Sequence, residues 1–525
     1  MEIASIIRKS CSLYRGNVAV TFEGRNQTYA ELSDRACRLA NVLLGLGLQP
    51  GDRVAVLADN QLETIEQAAA IALAGLVRCP MYTLNTAAAH GHMLGDVGAK
   101  AIIVQDKYAA DIAGAQADLP ELAHVIVIGD GSAAGGGTDV GAPRYDALLA
   151  AASDADPQIM VSPDADHIIR FSAGTTGRPK GILHTMAGWL AMGNEFALTL
   201  PRLDEDDAFL VASPLSHAAG LMIWQVLAAG GRWVIMSAFD PIRFLQTIER
   251  EKCTLTMVVP TMVGMLAATP GADAVDLSSL RAVFYGAAPI CEKDLRAGIS
   301  LWGNIMYQVY GQSEALPAAI LTPRFHRLGG SAEDRRLLTS TGRPTVNTVI
   351  TIRDDDDHVL PVGEVGEICI RTPGAMKGIW ANPEATAERF TADGSVRTRD
   401  MGYLDEEGFL HLVDRKEDLI ISGGYNVWPL EVENALSAHP DVRESAVVGV
   451  PDDKWGEAVF AAVYLRDGAT ATADELIAFA RDQIGPVKKP KHLVITAEPL
   501  PKSVVGKLIR RQVRELYASE PARAR

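Results

Sequence analysis

The sequence predicts an α/β protein whose large first part contains parallel β-sheets with helices on both faces. As far as residue 286, short apolar runs typical of buried strands alternate with amphipathic helical segments. From about residue 340, period-two strands separated by turn residues predict antiparallel sheet or a small barrel. A compact α+β segment follows, and we therefore place a domain boundary near residue 415.

The composition limits the classes of partner. The chain has 525 residues, 48% of them hydrophobic, and a formal net charge of −16. This length allows a large core in more than one domain, and the negative charge argues against a nucleic-acid or anionic-membrane surface. We expect no transmembrane segment and no signal peptide, because no apolar run is long enough. The six cysteines are scattered without a CxxC pair, which favours reduced thiols in a cytoplasmic protein.

The elements are predicted in order along the chain. Thr28 and Glu31 fit a capping box at the start of an amphipathic helix, and glycines suit its end near residue 46. Seven apolar runs predict the buried strands that follow: RVAVLA, KAIIVQ, HVIVIG, FLVA, WVIM, TLTMVV and RAVFYG. The glycine-rich stretch 129–143 is interpreted as a surface loop. The final helix is expected to have an apolar face and a basic face: Ile509, Val513 and Leu516 against Arg510, Arg511 and Arg514.

Two other polar clusters are interpreted as ordinary surface. The aspartates at 354–357 lack the spacing of an EF-hand and predict a solvated hairpin turn rather than a calcium site. His90 and His92 have no nearby ligands at metal spacing, and we expect both at the surface.

One glycine-rich segment is typical of a phosphate-binding loop. The predicted strand DHIIRF leads directly into SAGTTGRPKG, residues 172–181. The glycines allow a sharp turn close to a ligand, while threonine hydroxyls and Lys180 suit nucleotide phosphates. It is not a Walker A loop, since the second glycine of that pattern would fall on Pro179 and Gly181 follows the lysine. A solvated surface turn is the alternative for this stretch alone.

Seven motifs occur in the order found in adenylate-forming enzymes: FSAGTTGRPKG, SPLSHAAG, YGAAP, YGQSE, TRDMGYLDEEGFLHLVDRKEDLI, ISGGYNVWPLEVE and PKSVVGK. By these motifs the chain resembles the adenylate-forming (ANL) superfamily and is identified as an AMP-binding acyl-CoA synthetase, or carboxylate–CoA ligase. The resemblance implies an N-terminal adenylation domain, residues 1–414, of two helix-flanked sheets plus a small β-barrel. It also implies a small, mobile α+β C-terminal domain, residues 415–525, with a hinge near 415–418.

The resemblance further implies a two-step reaction. ATP and a carboxylic acid would form an acyl-adenylate and diphosphate, and coenzyme A would then accept the acyl group, releasing AMP. Lys507 would be the principal catalytic residue, because it would neutralise charge at the α-phosphate. His217 would orient the substrate carboxylate. Glu314 would bind Mg²⁺, a hard cation that prefers carboxylate oxygen, although a solvated loop acid is its alternative interpretation.

The same motifs imply the nucleotide and CoA contacts. Asp400 would accept hydrogen bonds from both ribose hydroxyls, with Arg415 as a second contact. Gly424 would line the pantetheine tunnel. Ala173 and Val505 differ from the residues that are usual at their positions in the motifs. The departures predict altered ATP affinity rather than lost activity. The full set of cofactor-binding residues implied is Gly174, Thr175, Thr176, Gly177, Lys180, Gly286, Ala287, Ala288, Pro289, Tyr310, Gly311, Gln312, Ser313, Asp400, Arg415, Gly423 and Gly424.

The segment around His217 bears on the acid. Residues 208–230 contain no carboxylate, which disfavours an amino-acid substrate with a buried ammonium group. An apolar wall predicts a fatty, aryl or alicyclic acid. Its expected members are Trp189, Phe196, Ala218, Ala219, Leu221, Met222, Gly286 and Ala287.

Three functions stay open at this point. The first is the CoA ligase, with a small-molecule carboxylic acid and CoA as partners. The second is an acyl-adenylate ligase that loads a carrier protein, and a luciferase-like oxygenase would share its adenylation half. The third is a non-catalytic nucleotide-binding relative. The joint presence of four residues disfavours it: Glu314, Asp400, Arg415 and Lys507. A homodimer and a regulatory acetyltransferase that modifies Lys507 are two further partner hypotheses.

Overall fold

The structure is a computed structural model that describes residues 2–129, 141–172, 179–216, 218–288, 290–502 and 508–518. The helices are α1 (Ile3–Leu13), α2 (Tyr29–Gly45), α3 (Thr64–Leu73), α4 (Ala87–Val97), α5 (Ala109–Ala115), α6 (Tyr145–Ala151), α7 (Met186–Thr199), α8 (Ile223–Ala229), α9 (Pro241–Glu251), α10 (Pro260–Ala267), α11 (Glu292–Trp302), α12 (Ala332–Thr339), α13 (Pro383–Glu388), α14 (Pro429–Ser437), α15 (Ala473–Lys488) and α16 (Arg510–Tyr517).

The strands are β1 (Val18–Phe22), β2 (Arg25–Thr28), β3 (Arg53–Leu57), β4 (Val77–Pro80), β5 (Ala101–Gln105), β6 (His124–Ile128), β7 (Asp166–Ser172), β8 (Lys180–Thr185), β9 (Ala208–Val211), β10 (Arg232–Ile235), β11 (Leu255–Val258), β12 (Ala282–Gly286), β13 (Met306–Gln312), β14 (Ala315–Leu321), β15 (Arg343–Pro344), β16 (Val349–Arg353), β17 (Gly366–Arg371), β18 (Gly378–Ile379), β19 (Val396–Leu404), β20 (Leu410–Arg415), β21 (Ile420–Ser422), β22 (Tyr425–Val427), β23 (Val442–Asp452), β24 (Gly456–Leu465) and β25 (His492–Thr496).

Two large sheets form the first part of the molecule. Their strand orders are β15-β14-β13-β12-β11-β9-β10-β1-β2 and β18-β8-β7-β4-β3-β5-β6. The inner strands run parallel, and antiparallel pairing is confined to the edges at β2, β14, β15, β8 and β18. All seven apolar runs are strands, and the capping box of Thr28 and Glu31 is present at α2. The predicted α/β class is confirmed.

One core joins the two sheets. Ile168 of the second sheet and Phe209, Trp233 and Phe284 of the first belong to the same buried cluster. Phe209 stacks on Trp233 with ring centroids 4.8 Å apart, and its other neighbour Phe284 lies at 6.1 Å. Each fully buried aromatic side chain contributes about 1.5–3 kcal/mol by leaving water, so this core fixes the two sheets against each other.

The third sheet lies between residues 349 and 415, where the sequence predicts antiparallel sheet or a small barrel. Its strands β16-β17-β19-β20 are antiparallel throughout. The turn between β16 and β17 is the predicted solvated hairpin, in which the Asp354 carboxylate accepts hydrogen bonds from the backbone N–H groups of Asp356 and His358. The predicted loop at 129–143 lies mostly outside the described residues.

The last part of the chain has the α+β elements that the sequence predicts. Its sheet has the order β22-β21-β24-β23, with β25 parallel to β24, and α16 packs on β23. The predicted apolar face of α16 is wrong for Leu516, which is 61% exposed, whereas Val513 is fully buried. The inward face instead follows the spacing of Arg510, Val513 and Tyr517, one helical turn apart. None of the described helices combines the length and the hydropathy that a membrane span requires.

The two histidines of the HGH segment have different environments. His90 is 1% exposed, and its Nε2 lies 2.9 Å from the carbonyl oxygen of Tyr82, whereas His92 is exposed. The expectation that both are surface residues is therefore wrong for His90. The reason is helical periodicity, because His90 shares the inward face of α4 with Met93, Leu94 and Val97.

The buried histidines predict that the free energy of unfolding decreases at acidic pH. His326 is 3% exposed, and its ring nitrogens lie 2.8 Å from the Tyr285 hydroxyl and 3.1 Å from the Thr322 carbonyl oxygen. Burial lowers the pKa of His326 to about 4. Between the ordinary histidine pKa and that value, the unfolded chain binds a proton that the native chain does not. Stability that is present at neutral pH is therefore lost as the pH falls.

We expect His326→Gln to reduce the loss of unfolding free energy between pH 7 and pH 5 by about 2 kcal/mol. Chemical denaturation at several pH values measures this slope. His92→Gln is the matched control, since His92 is exposed on α4, and it should keep the wild-type slope. A wild-type slope in His326→Gln would mean that His326 takes up its proton without unfolding.

Candidate active site

A carboxylate between the first and third sheets is held by three donors. Asp400 on β19 is 5% exposed and lies opposite Arg415 of β20. Its Oδ2 accepts hydrogen bonds from the Tyr310 hydroxyl at 2.9 Å and from Gln312 Nε2 at 2.6 Å, and Arg415 Nε lies 3.2 Å from Oδ1. A carboxylate offers about four acceptor positions, so the side chain is fixed in orientation and keeps capacity for a ligand.

Tyr310 is a permanent donor to this carboxylate. Burial, followed by the nearby charge of Asp400, raises the pKa of Tyr310 well above its ordinary value. The hydroxyl therefore stays protonated at any physiological pH. Strand β13 carries both Tyr310 and Gln312, and a shift in its pairing with β14 lies between them. Residues two apart on a strand point to the same face, which lets Tyr310 and Gln312 reach the same oxygen.

Glu314 follows β13 and forms an ion pair that the sequence analysis did not predict. Arg389 Nη2 lies 3.0 Å from Glu314 Oε1 and also donates to Gln312 Oε1 at 3.2 Å. Both side chains of the ion pair are only 11% exposed. Arg389 thus joins two residues of the YGQSE motif, Gln312 and Glu314. No local signal marks it, because an arginine after a short helix is usually a solvated surface residue.

The backbone is closely packed at the carboxyl ends of β12 and β13. A Cβ on Gly286 would lie 2.3 Å from the Val309 carbonyl oxygen, and one on Gly311 would lie 2.6 Å from Leu316 Cδ1. Ala287 has a φ of 68°, which is unfavourable for a residue with a side chain. Ala288 follows in the same bend. In open α/β sheets the carboxyl ends of parallel strands are where ligands bind, and these residues lie there.

The predicted phosphate loop is described only at its two ends. Lys180 at the start of β8 pairs with Ser172 at the end of β7, so the ends are held side by side. His184 on β8 lies close to the YGQSE turn, with its Nε2 2.8 Å from the Ser313 carbonyl oxygen. Several predicted site residues lie outside the described residues: Gly174, Thr175, Thr176, Gly177, His217, Pro289 and Lys507.

Gly423 and Gly424 form the turn between β21 and β22. Both have positive φ, 60° and 82°, which favours glycine at each position. A Cβ on Gly423 would lie 2.5 Å from Trp455 Cε3, whereas one on Gly424 would meet nothing within 4 Å. The described hydrogen bonds and ion pairs link neither glycine to the group around Asp400.

A charged cluster connects the predicted hinge to α16. Arg510 Nη1 lies 2.6 Å from Asp418 and 3.2 Å from Asp414, and Arg510 Nη2 lies 2.8 Å from Glu433. The sequence analysis placed Arg510 on the face of α16 opposite the apolar residues. That expectation is wrong, because Arg510 lies one turn before the buried Val513.

Most of the predicted apolar wall is part of the core between the two sheets, whereas Gly286 is half-buried and Ala287 is exposed. Trp189, Phe196, Ala219, Leu221 and Met222 are each at most 3% exposed and belong to one cluster. The Ala218 side chain lies outside the described residues. The wall has basic neighbours, since the Arg170 guanidinium lies 5.5 Å from the Trp189 ring centroid and the His184 ring lies at 5.9 Å.

Comparison with known proteins identifies the family. Residues 7–380 match the family model of the AMP-binding enzymes, and residues 431–507 match that of the AMP-binding enzyme C-terminal domain. The chain belongs to the AMP-binding enzyme family. Glu314 lies within the first matched range, whereas Asp400, Gly423 and Gly424 lie between the two ranges. The roles of these site residues stay predictions.

Individual relatives of this AMP-binding enzyme differ in the acyl acceptor that their names give. A feruloyl-CoA synthase of Amycolatopsis sp is 37% identical over 95% of this chain and 96% of its own. A fatty acid–[acyl-carrier-protein] ligase, ScoC of Streptomyces coeruleorubidus, is 33% identical over 96% of this chain and 94% of its own. The solved structure of the amide bond synthetase McbA from Marinactinospora thermotolerans superposes with a TM-score of 0.85, at 31% identity, over 98% of this chain and 100% of its own.

Other curated relatives, at 33–34% identity, are named as CoA ligases of medium- and long-chain fatty acids, indoleacetate and 2-succinylbenzoate. These matches confirm the predicted superfamily and the predicted AMP-forming carboxylate–CoA ligase, an acid–thiol ligase. ATP and CoA are substrates of this ligase family.

Proposed function

We propose that this AMP-binding enzyme activates an acid with a fatty, aryl or alicyclic body as its adenylate and transfers the acyl group to CoA. The observation that carries the proposal is the oriented Asp400 carboxylate, which lies beside the ends of β12 and β13 in a chain whose relatives are named as CoA ligases. The substrates are the acid, ATP and CoA, and no step requires a nucleic acid.

The Asp400 group binds the nucleoside. Asp400 accepts hydrogen bonds from the ribose hydroxyls, with Arg415 as a second contact. Tyr310 and the bend at Gly286, Ala287 and Ala288 flank the adenine. The fixed orientation of Asp400 supports this role, because a carboxylate already held by Tyr310, Gln312 and Arg415 loses little freedom when the ribose binds.

Glu314 is the Mg²⁺ ligand of the proposal. Mg²⁺ in nucleotide sites is commonly held by one or two carboxylates plus phosphate oxygens, and Glu314 supplies one largely buried carboxylate beside Gln312. The residues therefore fit the ion. When bound, Mg²⁺ neutralises phosphate charge. Arg389 orients Glu314 by its ion pair and holds Gln312 at the same time.

Adenylation is a transfer in which positioning and charge neutralisation dominate. Gly174, Thr175, Thr176 and Lys180 cradle the β- and γ-phosphates while the substrate carboxylate, oriented by His217, attacks the α-phosphorus. Diphosphate leaves, and Lys507 neutralises the charge that develops at the α-phosphate. These roles rest on the motifs, since most of these residues lie outside the described structure.

The thioester step uses a second arrangement of the C-terminal region, residues 415–525. Rotation at the hinge near 415–418 withdraws Lys507 and presents the turn of Gly423 and Gly424 to the pantetheine chain. The positive φ of both glycines supports a turn without side chains at that position. The CoA thiol then attacks the acyl carbonyl, and AMP leaves.

A carrier-protein ligase is the second candidate function. The resemblance to ScoC at 33% identity favours it, because that relative is named for an acyl-carrier-protein acceptor. Both functions share the adenylation step and differ in the thiol that attacks. The homodimer, the acetylation of Lys507 and the cytoplasmic location stay predictions.

Product analysis by mass spectrometry tests the proposal. The enzyme receives Mg-ATP and a panel of fatty, aryl and alicyclic acids, with CoA, a phosphopantetheinylated carrier protein, or no acceptor. We expect acyl-CoA and AMP in the CoA reactions and acyl-adenylate without an acceptor. Acyl-carrier formation without acyl-CoA would favour the second candidate. Absence of any adenylate across the panel would contradict the proposed function.

A further inference from the structure

Three basic side chains lie on one face of the second large sheet around Ile168. Ile168 on β7 pairs with Arg78 on β4 and with His184 on β8, and residues directly opposite in a sheet point to the same face. Arg170 is two residues after Ile168 on the same strand and therefore shares that face. Ile168 belongs to the core between the two sheets, so the three basic side chains point into the protein.

Their burial is nearly complete. Arg170 is 1% exposed, Arg78 is 5% exposed, and His184 is fully buried. Within the described part of the chain, Arg170 Nε and Nη1 and Arg78 Nε have no hydrogen-bond partner. Neither arginine forms an ion pair with a described carboxylate. Glu314 is close enough to act on the charge of Arg170, but it forms its ion pair with Arg389.

Unpartnered buried guanidinium groups are costly, because each loses its hydration and gains no compensating charge. A buried charge elsewhere in the described chain shows the usual compensation. Glu66 accepts hydrogen bonds from Gln27, Arg35 and Tyr145. The contrast indicates that Arg170 and Arg78 donate hydrogen bonds to an acceptor that is not one of the described side chains.

The cluster lies directly beside the candidate active site. His184 Nε2 donates to the Ser313 carbonyl oxygen at 2.8 Å, and Ser313 precedes Glu314. The His184 ring lies 5.9 Å from the ring of Trp189, against which the Arg170 guanidinium lies at 5.5 Å. Burial lowers the pKa of His184 to about 3, so this histidine is neutral and the two arginines carry the positive charge.

We propose that Arg170 and Arg78 form the polar end of the acid-binding site, and that the preferred acid carries a hydrogen-bond-accepting oxygen on its otherwise apolar body. This inference rests on the proposed function, and it narrows the substrate class from apolar acids in general to acids with a second oxygen group. A guanidinium donates to a neutral hydroxyl or carbonyl oxygen and also pairs with a carboxylate. The shared chemistry is therefore an oxygen acceptor placed away from the reacting carboxylate.

Matched acid series test the proposal. One series is 4-methylcinnamate, 4-hydroxycinnamate and 4-carboxycinnamate, and the other is heptanoate, 6-hydroxyhexanoate and adipate. We expect kcat/KM of the wild type to be about 10- to 100-fold higher for an oxygen-bearing member than for the apolar member of its series. The hydroxyl and carboxylate arms distinguish a neutral from an anionic acceptor.

Arg170→Met and Arg78→Met should each bring this ratio close to one. Arg353→Met is the matched control, because Arg353 is 8% exposed but paired with Asp393 at 2.6 Å. It should keep the wild-type ratio. The melting-temperature shift that each acid produces with AMP gives a second measure of preference, one that needs no turnover and that detects folding defects.

Two results would overturn the inference. One is a wild type without preference within either series. The other is an unchanged preference in Arg170→Met together with a raised melting temperature, which would mean that the buried charge is only a structural cost. Failure to form acyl-CoA from any acid would instead contradict the proposed function, and the melting-temperature shifts would still report whether the arginines recognise the oxygen.

Discussion

Replacing Lys507 by alanine is expected to slow acyl-adenylate formation by about 10²–10³-fold and to leave thioester formation from supplied acyl-adenylate largely intact. In the proposed mechanism, the lysine stabilises charge that develops at the α-phosphate during the first step only. In the second step the bond to AMP is already formed, and the CoA thiol is the attacking group. Replacing the lysine should therefore lower the rate of the first half-reaction and leave the rate of the second largely unchanged.

Single-turnover assays of each half-reaction measure this separation. Lys502→Ala is the matched control, because Lys502 belongs to the same PKSVVGK motif but forms an ion pair with Glu444 at 2.6 Å. It should keep both rates. Equal losses in the two half-reactions of Lys507→Ala would contradict the assignment of the lysine to adenylation alone.

The fold could be predicted in large part from local pattern. Strands such as RVAVLA and HVIVIG are buried on both faces, which gives continuous apolar runs that differ clearly from the helices between them. Capping at Thr28 and Glu31 is likewise a local signal, and the structure has it. The strand order of the two large sheets is not local, since β10 lies between β9 and β1 through contacts that no short segment encodes.

The candidate site could be predicted where the motifs are contiguous and not where its contacts are distant. Tyr310 and Gln312 belong to one motif and meet at Asp400 of another. Arg389 and Arg170 carry no motif signal, because their roles depend on which strands become neighbours. The sequence predicts the wall around Trp189 as apolar. It does not predict the arginines beside this wall, because a single arginine in an apolar run gives no indication of whether it is paired with a carboxylate.

The largest expected effect on stability comes from Arg510→Met, about 3–5 kcal/mol less free energy of unfolding at neutral pH. The Arg510 guanidinium contacts Asp414, Asp418 and Glu433, and the Asp414 and Glu433 side chains are at most 9% exposed. Removing the only arginine of this described cluster leaves two buried carboxylates without their cation. Chemical denaturation measures the loss, and Arg511→Met is the matched control because Arg511 is 64% exposed on the same helix.

The pH dependence of this loss distinguishes buried from solvated carboxylates. Burial already raises the pKa of Asp414 and of Glu433 in the intact cluster, and removal of Arg510 should raise both further. A group whose native pKa is raised stabilises the fold below that pKa and loses this contribution as the pH increases. The destabilisation caused by Arg510→Met should therefore be smaller at pH 5.5 than at pH 7.5, by about 1–2 kcal/mol.

Equal losses of unfolding free energy at the two pH values would mean that the carboxylates are solvated in the variant. Arg510 would then be a surface ion pair rather than a buried link between α16 and the predicted hinge.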